Sequence, residues 1–453
     1  MELSSGYVLF ILLSAVAFLF LLILRLRLNA FISLLIVSMY AGILAGMPLQ
    51  LLLQSMREGM GNTLGFVAVV VGLGAIFGQI LESTGGAGAL AHGLIARFGK
   101  ERAPWAMTLT GFLVAIPVFL DVGFILLVPV VYALSRDTGK SLLYYGIPLL
   151  AGLAVTHSFS PPTPGPVAVA DILSVPLGWV ILLGFLLGIP TAILAGPLFG
   201  KYISGKINLP VPGYFSAGSD DTKKALPSFH LTLVIIGIPL FLILINTFVT
   251  VLVRSSRIAS SQLTDVLVFL GHPFTALILA TLLAMYFLGL RRGLSRQEIM
   301  DLSTKALAPA GIIILITGAG GVLKQVMDAS GMGKTIAAAI AVSPLSPLLL
   351  AWSLAAVVRV AQGSATVAMI TAAGIMTPVI EAAHYSDPRK ALVVIAIASG
   401  ATILSHVNDS GFWLVGKYLG MDEKQTLRSW SVMETIIALS GLLLTLAAGL
   451  LIK

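Results

Sequence analysis

The sequence predicts an all-α polytopic membrane protein with two inverted-topology repeats that contain interrupted or re-entrant helices. Three observations predict this fold class: apolar segments recur along the whole chain, one motif appears twice, and helix-breaking residues lie inside apolar segments. Of the 453 residues, 58% are hydrophobic and 10% are charged, whereas an ordinary soluble domain has about 25% charged residues. The composition therefore indicates a membrane protein.

Apolar runs close to the ~20 residues that cross a bilayer are the first observation. Examples are residues 7–24, 31–45, 64–81, 231–253 and 436–452. The first run is too long for the hydrophobic region of a signal peptide, and no basic region precedes it, so we interpret it as a retained span. No stretch remains for a soluble domain, which argues against a membrane enzyme with catalytic groups in large loops.

Basic residues cluster between the spans and carry the net charge of +8. The clusters are Arg25 and Arg27; Arg97, Lys100 and Arg102; Lys201, Lys206, Lys223 and Lys224; and Arg291, Arg292 and Arg296. This pattern follows the positive-inside rule, so the loops are predicted to be cytoplasmic and no nucleic-acid partner is expected. The chain has no cysteine and its six histidines form no helical pair, so neither a metal site nor a cofactor is expected.

A motif that occurs once in each half is the second observation. GLGAIFGQILESTGG from Gly72 matches GAGGVLKQVMDASGM from Gly318 at an offset of 246. A second match aligns His157 in LAVTHS with His406 in TILSHV, at an offset of 406 − 157 = 249. The basic loops place the two copies in opposite orientations across the membrane. The alternative is that Gly-rich apolar helices resemble one another without a common origin.

The hydrophilic residues 201–227 divide the two copies. They predict a cytoplasmic linker between an N-terminal transmembrane repeat, residues 1–200, and a C-terminal transmembrane repeat, residues 228–453. Inverted repeats are an architecture of secondary transporters, in which substrate and coupling ion bind near the membrane midplane where helices are interrupted.

Helix breakers in the first half are part of the third observation. IPVFLDVGFILLVP places Asp121 shortly after Pro117, and HSFSPPTPGPVAVA contains too many prolines for a continuous helix. Pro166 fits the first turn of a new helix with Ser160 or Thr163 near its cap. The free amides of that N-terminus are expected to face an anion.

In the second half, VVRVAQGSATVAM and SHVNDSGFW place polar residues in an apolar context. Arg359 is the strongest signal, because Arg in a span costs roughly 2.5–3.5 kcal/mol and its planar fork suits a carboxylate. A structural pair with Asp121 or Asp409, or snorkelling, is the alternative. Asn408 or Asp409 is predicted to cap the helix that begins near Gly411.

Eleven residues are therefore predicted to form the site. The substrate-binding candidates are Arg359, Gln362, Ser364, Thr366, Ser160, Thr163, His157, His406 and Asn408, and the proton-coupling candidates are Asp121 and Asp409. Asp409 is also a candidate helix cap, and a structural role remains open for both histidines.

At these residues the sequence resembles the gluconate:proton symporter family, the gluconate permeases. The segments that carry the resemblance are THSFSPPTPGPVA, AAVVRVAQGSATVAMITAAG, SHVNDSGFWLVGKY and LRSWSVMETI. The chain departs from the family at two positions, where relatives commonly have His for Thr163 and Glu for Asp121.

The resemblance implies proton-driven uptake of an aldonate across the bacterial cytoplasmic membrane, the ion-transporter superfamily fold with re-entrant hairpins, and a homodimer. Alternatives are a permease for idonate, fructuronate or D-serine, sodium coupling, or a passive channel.

Overall fold

The computed structural model describes residues 5–211, 226–332, 346–407 and 409–452. Within these ranges all regular secondary structure is helical. Eight helical stretches in the described part are long and apolar enough to cross a membrane. The five apolar runs singled out in the sequence lie in helices, apart from Ala45 and Ile452 at the ends of two of them, so the prediction of an all-α polytopic membrane protein is confirmed.

Ten helices form the described part of the first half. They are α1 (Ser5–Phe20), α2 (Ala30–Leu44), α3 (Leu49–Ser83), α4 (Gly86–Phe98), α5 (Ala103–Val114), α6 (Leu120–Thr138), α7 (Leu143–Phe159), α8 (Pro164–Ile172), α9 (Leu177–Ile193) and α10 (Phe199–Ser204). Short π-helical turns continue α1 and α9.

Ten more form the described part of the second half. They are α11 (Phe229–Arg254), α12 (Gln262–Gly271), α13 (Pro273–Ala284), α14 (Arg296–Ala329), α15 (Pro347–Gln362), α16 (Ala365–Ala382), α17 (Asp387–Gly400), α18 (Ser410–Leu419), α19 (Glu423–Thr426) and α20 (Val432–Leu451). A π-helical and a 3-10 turn follow α13, and a π-helical turn joins α19 to α20.

Helix interruptions occur where the sequence predicts them. In the first half, residues 115–119 separate α5 from α6, and residues 160–163 separate α7 from α8. In the second half, Gly363 and Ser364 separate α15 from α16, and residues 401–409 separate α17 from α18. Each half thus has a long helix followed by two interrupted pairs. The inverted relation between the halves stays a prediction, and so do the domain boundaries, because residues 212–225 of the linker lie outside the described ranges.

The long helices α3 and α14 pack along each other. With 35 and 34 residues they are about 50 Å long at 1.5 Å per residue, which exceeds the ~30 Å hydrocarbon core, so they must tilt or protrude. Helices α5 and α7 also pack closely. A Cβ atom at Gly152 would clash with the Thr108 carbonyl, and one at Gly111 with the Leu149 carbonyl. Small residues thus allow the close backbone approach that is typical of membrane helices.

The core lies around α7, α8 and α17, whose apolar side chains, such as Leu149, Val169 and Ile395, are fully buried. Peripheral helices instead expose apolar side chains, including Phe241 on α11 and Leu443 on α20, as lipid-facing surfaces do. The interruption between α7 and α8 is therefore enclosed by protein, which is where a membrane protein tolerates irregular backbone.

Candidate functional site

A cavity of about 360 Å³ lies where three of the four helix interruptions meet. Its lining comes from the start of α6, the end of α7, both sides of the α15–α16 interruption, the start of α18, and the turn that leads into α20. Seven predicted site residues line it: Asp121, His157, Arg359, Gln362, Ser364, Thr366 and Asp409. The structure therefore brings residues from both halves of the chain to one cavity.

A buried ion pair forms one wall of the cavity. Arg359, in the last turn of α15, donates from Nη2 to Oδ2 of Asp409 across 2.5 Å, and the two side chains are 4% and 14% exposed. Arg359 also donates from Nη1 to the carbonyl oxygen of Gly363. The pairing of Arg359 with an acid, which the sequence left open as an alternative, is the arrangement in this structure.

Asp409 has a structural role as well as a charge. It is the N-cap of α18, where Oδ1 accepts from the amide of Gly411 at 3.0 Å, as the sequence predicted for this residue or Asn408. Its Oδ2 also accepts from the hydroxyl of Ser405. The indole of Trp430 donates to the same hydroxyl at 2.6 Å. A chain of hydrogen bonds thus connects the turn before α20, the α17–α18 interruption and α15.

Helix N-termini also face the cavity. Gly363 adopts a left-handed conformation with φ of 85°, which ends α15 and lets α16 start two residues later. The hydroxyl of Ser364 accepts from the amide of Val367 at 3.4 Å. Ala365 and Thr366 also line the cavity, and their amides have no acceptor within the helix because they belong to its first turn. Helix N-termini of this kind attract anions.

Buried polar atoms without a hydrogen-bond partner concentrate at this cavity. Among the described residues, His157 Nδ1, Arg359 Nε, Gln362 Oε1 and Glu434 Oε1 have none, and all four residues line the cavity. Leaving a buried polar group unsatisfied costs about 1–3 kcal/mol, so native proteins rarely do so without a reason. The set contains an N–H donor, two oxygen atoms and an imidazole nitrogen, which suits a small ligand that has both acceptors and donors.

Ser160 and Thr163 lie outside the lining of this cavity. Ser160 donates to the carbonyl oxygen of Pro161 at 3.0 Å, and Thr163 donates to the carbonyl oxygen of Ser160. Both are buried, at 1% and 4% exposure. Thr163 borders a separate gap of about 10 Å³ next to Pro117, which is no larger than one water molecule needs. Substrate contact by these two residues stays a prediction.

The two histidines that the repeat aligns occupy different surroundings. His157 lines the cavity and meets the ring of Phe119 edge-on, with centroids 6.2 Å apart. His406 is not among the lining residues, and its Nε2 lies 2.9 Å from the carbonyl oxygen of Val360. Asn408 lies outside the described residues. A role for these residues in substrate binding stays a prediction.

Several lining residues were missed in the sequence. They are Ser158, Thr402, Ser410, Trp430 and Glu434. A signal existed for Glu434, because an acidic residue at the edge of an apolar run is a candidate functional group in a membrane protein. The sequence has no such signal for Trp430 or Thr402, because their positions at the cavity depend on how the turns fold.

Comparison with known proteins agrees with this arrangement. A family model described as "GntP family permease" matches residues 7–451. The chain is 42% identical over 437 residues to a gluconate permease of Pseudomonas aeruginosa, which covers 95% of each chain. It is 42% identical to the low-affinity gluconate transporter of Escherichia coli K12, covering 96% of each chain. It is also 40% identical to the Gnt-II system L-idonate transporter of the same strain, covering 97% of this chain and 98% of that one.

A solved structure shares the fold at low sequence similarity. The YdaH transporter of Alcanivorax borkumensis superposes with a TM-score of 0.54 at 18% identity, covering 86% of each chain. With a family match over nearly the full length and relatives that are transporters and not enzymes, the chain belongs to the GntP family of permeases and is a multi-pass protein of the bacterial inner membrane.

Proposed function

We propose that this permease imports gluconate together with protons across the cytoplasmic membrane, and that it does so as a homodimer, the state that the family resemblance implies. The observation that carries the substrate assignment is the group of unpartnered buried polar atoms at one cavity. Gluconate has one carboxylate and several hydroxyl groups. The first-turn amides of α16 and Nε of Arg359 suit the carboxylate, whereas Gln362 and His157 suit the hydroxyls. The names of the relatives support the same substrate.

The charges around the cavity support proton coupling. One cation, Arg359, faces three acids, Asp121, Asp409 and Glu434, so the four groups sum to −2 when all are ionised (1 − 3 = −2). Adding an anionic substrate increases the repulsion, and neighbouring negative charges favour the neutral form of a carboxyl group. A proton bound with each substrate anion offsets the added charge. Asp121, which is exposed in the first turn of α6, is the acid that water reaches most readily and is the proposed point of proton exchange.

The experiment is uptake of labelled gluconate into proteoliposomes that contain the purified permease. An inward proton gradient without sodium should drive accumulation above equilibrium, and a protonophore should abolish it. Liposomes without protein control for leakage. Undiminished accumulation after the protonophore, or accumulation driven by a sodium gradient alone, would overturn proton coupling.

L-Idonate is the second candidate substrate, because a relative of nearly equal similarity is an L-idonate transporter. The two sugar acids present the same functional groups to the cavity, so the contacts proposed above do not separate them. Competition between labelled gluconate and unlabelled L-idonate, fructuronate or D-serine in the same proteoliposomes ranks them. Stronger inhibition by one of these than by gluconate itself would reassign the substrate.

A further inference from the structure

Glu434 is an acidic side chain in the first turn of α20 that the sequence did not single out. It lines the cavity and is only 4% exposed. Its Oε1 atom has no hydrogen-bond partner among the described residues. A carboxyl group in this position is costly to keep ionised unless a cation or several donors satisfy it.

The three acids of the cavity differ in how they are satisfied. Asp409 accepts hydrogen bonds on both oxygens, from Arg359, Ser405 and Gly411, so its carboxylate is committed to the ion pair and the helix cap. Asp121 is exposed and can be solvated by water in the cavity. The Oε1 atom of Glu434 has neither a hydrogen-bond donor among the described residues nor comparable exposure to water.

Two charged groups are close enough to Glu434 to interact with it electrostatically, namely Arg359 on α15 and Asp409 at the start of α18. One N–H of each Nη atom of Arg359 is already used, by Asp409 and by the carbonyl of Gly363. Asp121 on α6 and His157 on α7 line the same cavity. The single positive charge of Arg359 therefore lies near two carboxyl groups, those of Asp409 and Glu434. A proton on Glu434 would leave one negative charge opposite that one positive charge.

We propose that Glu434 holds the co-transported proton while the substrate anion occupies the cavity, with Arg359 and Asp409 remaining paired. This inference rests on the proposed proton-coupled function. The carboxylate of Glu434 takes up one proton from the outer side and keeps it while the substrate is bound. After the substrate leaves, the proton passes to water on the cytoplasmic side and the carboxylate is restored. Substrate charge and proton charge thus cancel in the loaded cavity.

Glu434→Gln tests this assignment, because glutamine keeps the size of the side chain but cannot exchange a proton. The variant is reconstituted and measured in two ways: exchange of gluconate across the membrane without any gradient, and accumulation driven by a proton gradient. Exchange should stay within about three-fold of the unmodified protein and lose its pH dependence, whereas accumulation should fall to the level seen without a gradient. Glu423→Gln, the same substitution at an exposed position in α19, should leave both unchanged.

Three results would overturn the proposal. Normal proton-driven accumulation by Glu434→Gln would show that another group carries the proton. Loss of exchange together with accumulation, in a variant that is still monodisperse, would make Glu434 a substrate-binding group instead. If Glu434→Gln is not recovered as folded protein, the pH profile of exchange by Glu434→Asp decides, because the shorter side chain moves the carboxyl group relative to Arg359. An unshifted profile would exclude the assignment. Failure of the unmodified protein to accumulate gluconate would instead refute the proposed function on which the inference rests.

Discussion

Two of the helix interruptions, the prolyl loop at residues 160–163 and the glycine interruption at residues 363–364, use their polar groups in opposite ways. In the prolyl loop, the hydroxyls of Ser160 and Thr163 donate to carbonyls of the same loop, and the adjoining gap measures about 10 Å³. The glycine interruption borders a cavity of about 360 Å³. There, Arg359 and Gln362 on one side keep buried atoms without partners.

The difference shows that breaking a membrane helix does not by itself create a binding wall. Proline removes an amide donor at each position it occupies, so the prolyl loop has few donors left and its hydroxyls satisfy its own carbonyls. Gly363 turns the chain with a positive φ and keeps every amide. An interruption can bind a ligand only if the polar groups that it releases from the helix do not find hydrogen-bond partners within the loop itself.

Replacing Arg359 is expected to have the largest effect, because this residue lies at the glycine interruption and not at the prolyl loop. Arg359→Gln leaves the carboxylate of Asp409 buried without its counter-charge, and breaking a buried ion pair in this way costs about 3–5 kcal/mol. We expect a much lower melting temperature in detergent and no measurable gluconate binding. Thermal unfolding and isothermal titration with gluconate measure the two effects.

The double variant Arg359→Gln with Asp409→Asn separates structure from binding. Stability should recover largely, because neither residue then carries an uncompensated charge, whereas gluconate affinity should stay at least ten-fold weaker. Gluconate binding at the unmodified affinity in the double variant would reduce Arg359 to the partner of Asp409 and exclude a contact with the substrate carboxylate.

A smaller effect is expected from Ser364, which caps α16 beside the cavity. Ser364→Ala removes the acceptor for the amide of Val367, and loss of an N-cap costs about 1 kcal/mol. Because this helix start is also a proposed anion site, gluconate affinity should fall about five-fold, in line with that energy. Ser346→Ala at the N-cap of α15, which makes no side-chain capping bond, is the matched control. Equal affinity in the two variants would remove the α16 N-terminus from the site.

Much of the fold could be predicted from the sequence because its signals are local. Apolar length, basic loops and helix breakers specify spans and interruptions without knowledge of their packing. Gly363 and Asp409 were found this way, since a left-handed cap and an N-cap each depend on a few neighbouring residues.

The partners of the polar side chains could not be predicted, because they depend on contacts between distant segments. The ion pair joins residues 50 positions apart, and the sequence offered Asp121 and Asp409 equally as partners of Arg359. Glu434 reaches the cavity only because α20 packs against the interrupted helices. The repeat aligned His157 with His406, yet their surroundings differ, since equivalent backbone positions do not ensure equivalent side-chain contacts.

The smallest expected effects compare two threonines, Thr163 in the prolyl loop and Thr366 in the first turn of α16. The sequence predicts that Thr163 binds substrate, so Thr163→Val should weaken gluconate binding, whereas its position in the structure predicts otherwise. Valine keeps the shape but loses the hydrogen bond to the carbonyl of Ser160, so stability should fall by about 1 kcal/mol while affinity stays within two-fold. Thr366→Val in the cavity lining should do the reverse, weakening affinity by about three- to ten-fold with little loss of stability.

Titration with gluconate and thermal unfolding of both purified variants decide between the two expectations. A Thr163→Val variant with weakened affinity and unchanged stability would place the prolyl loop in the substrate site after all, in a conformation other than this one, because Thr163 is only 4% exposed here. The glycine interruption would then not be the only one of the two that binds substrate. Both interruptions would contribute to binding, at different stages of transport.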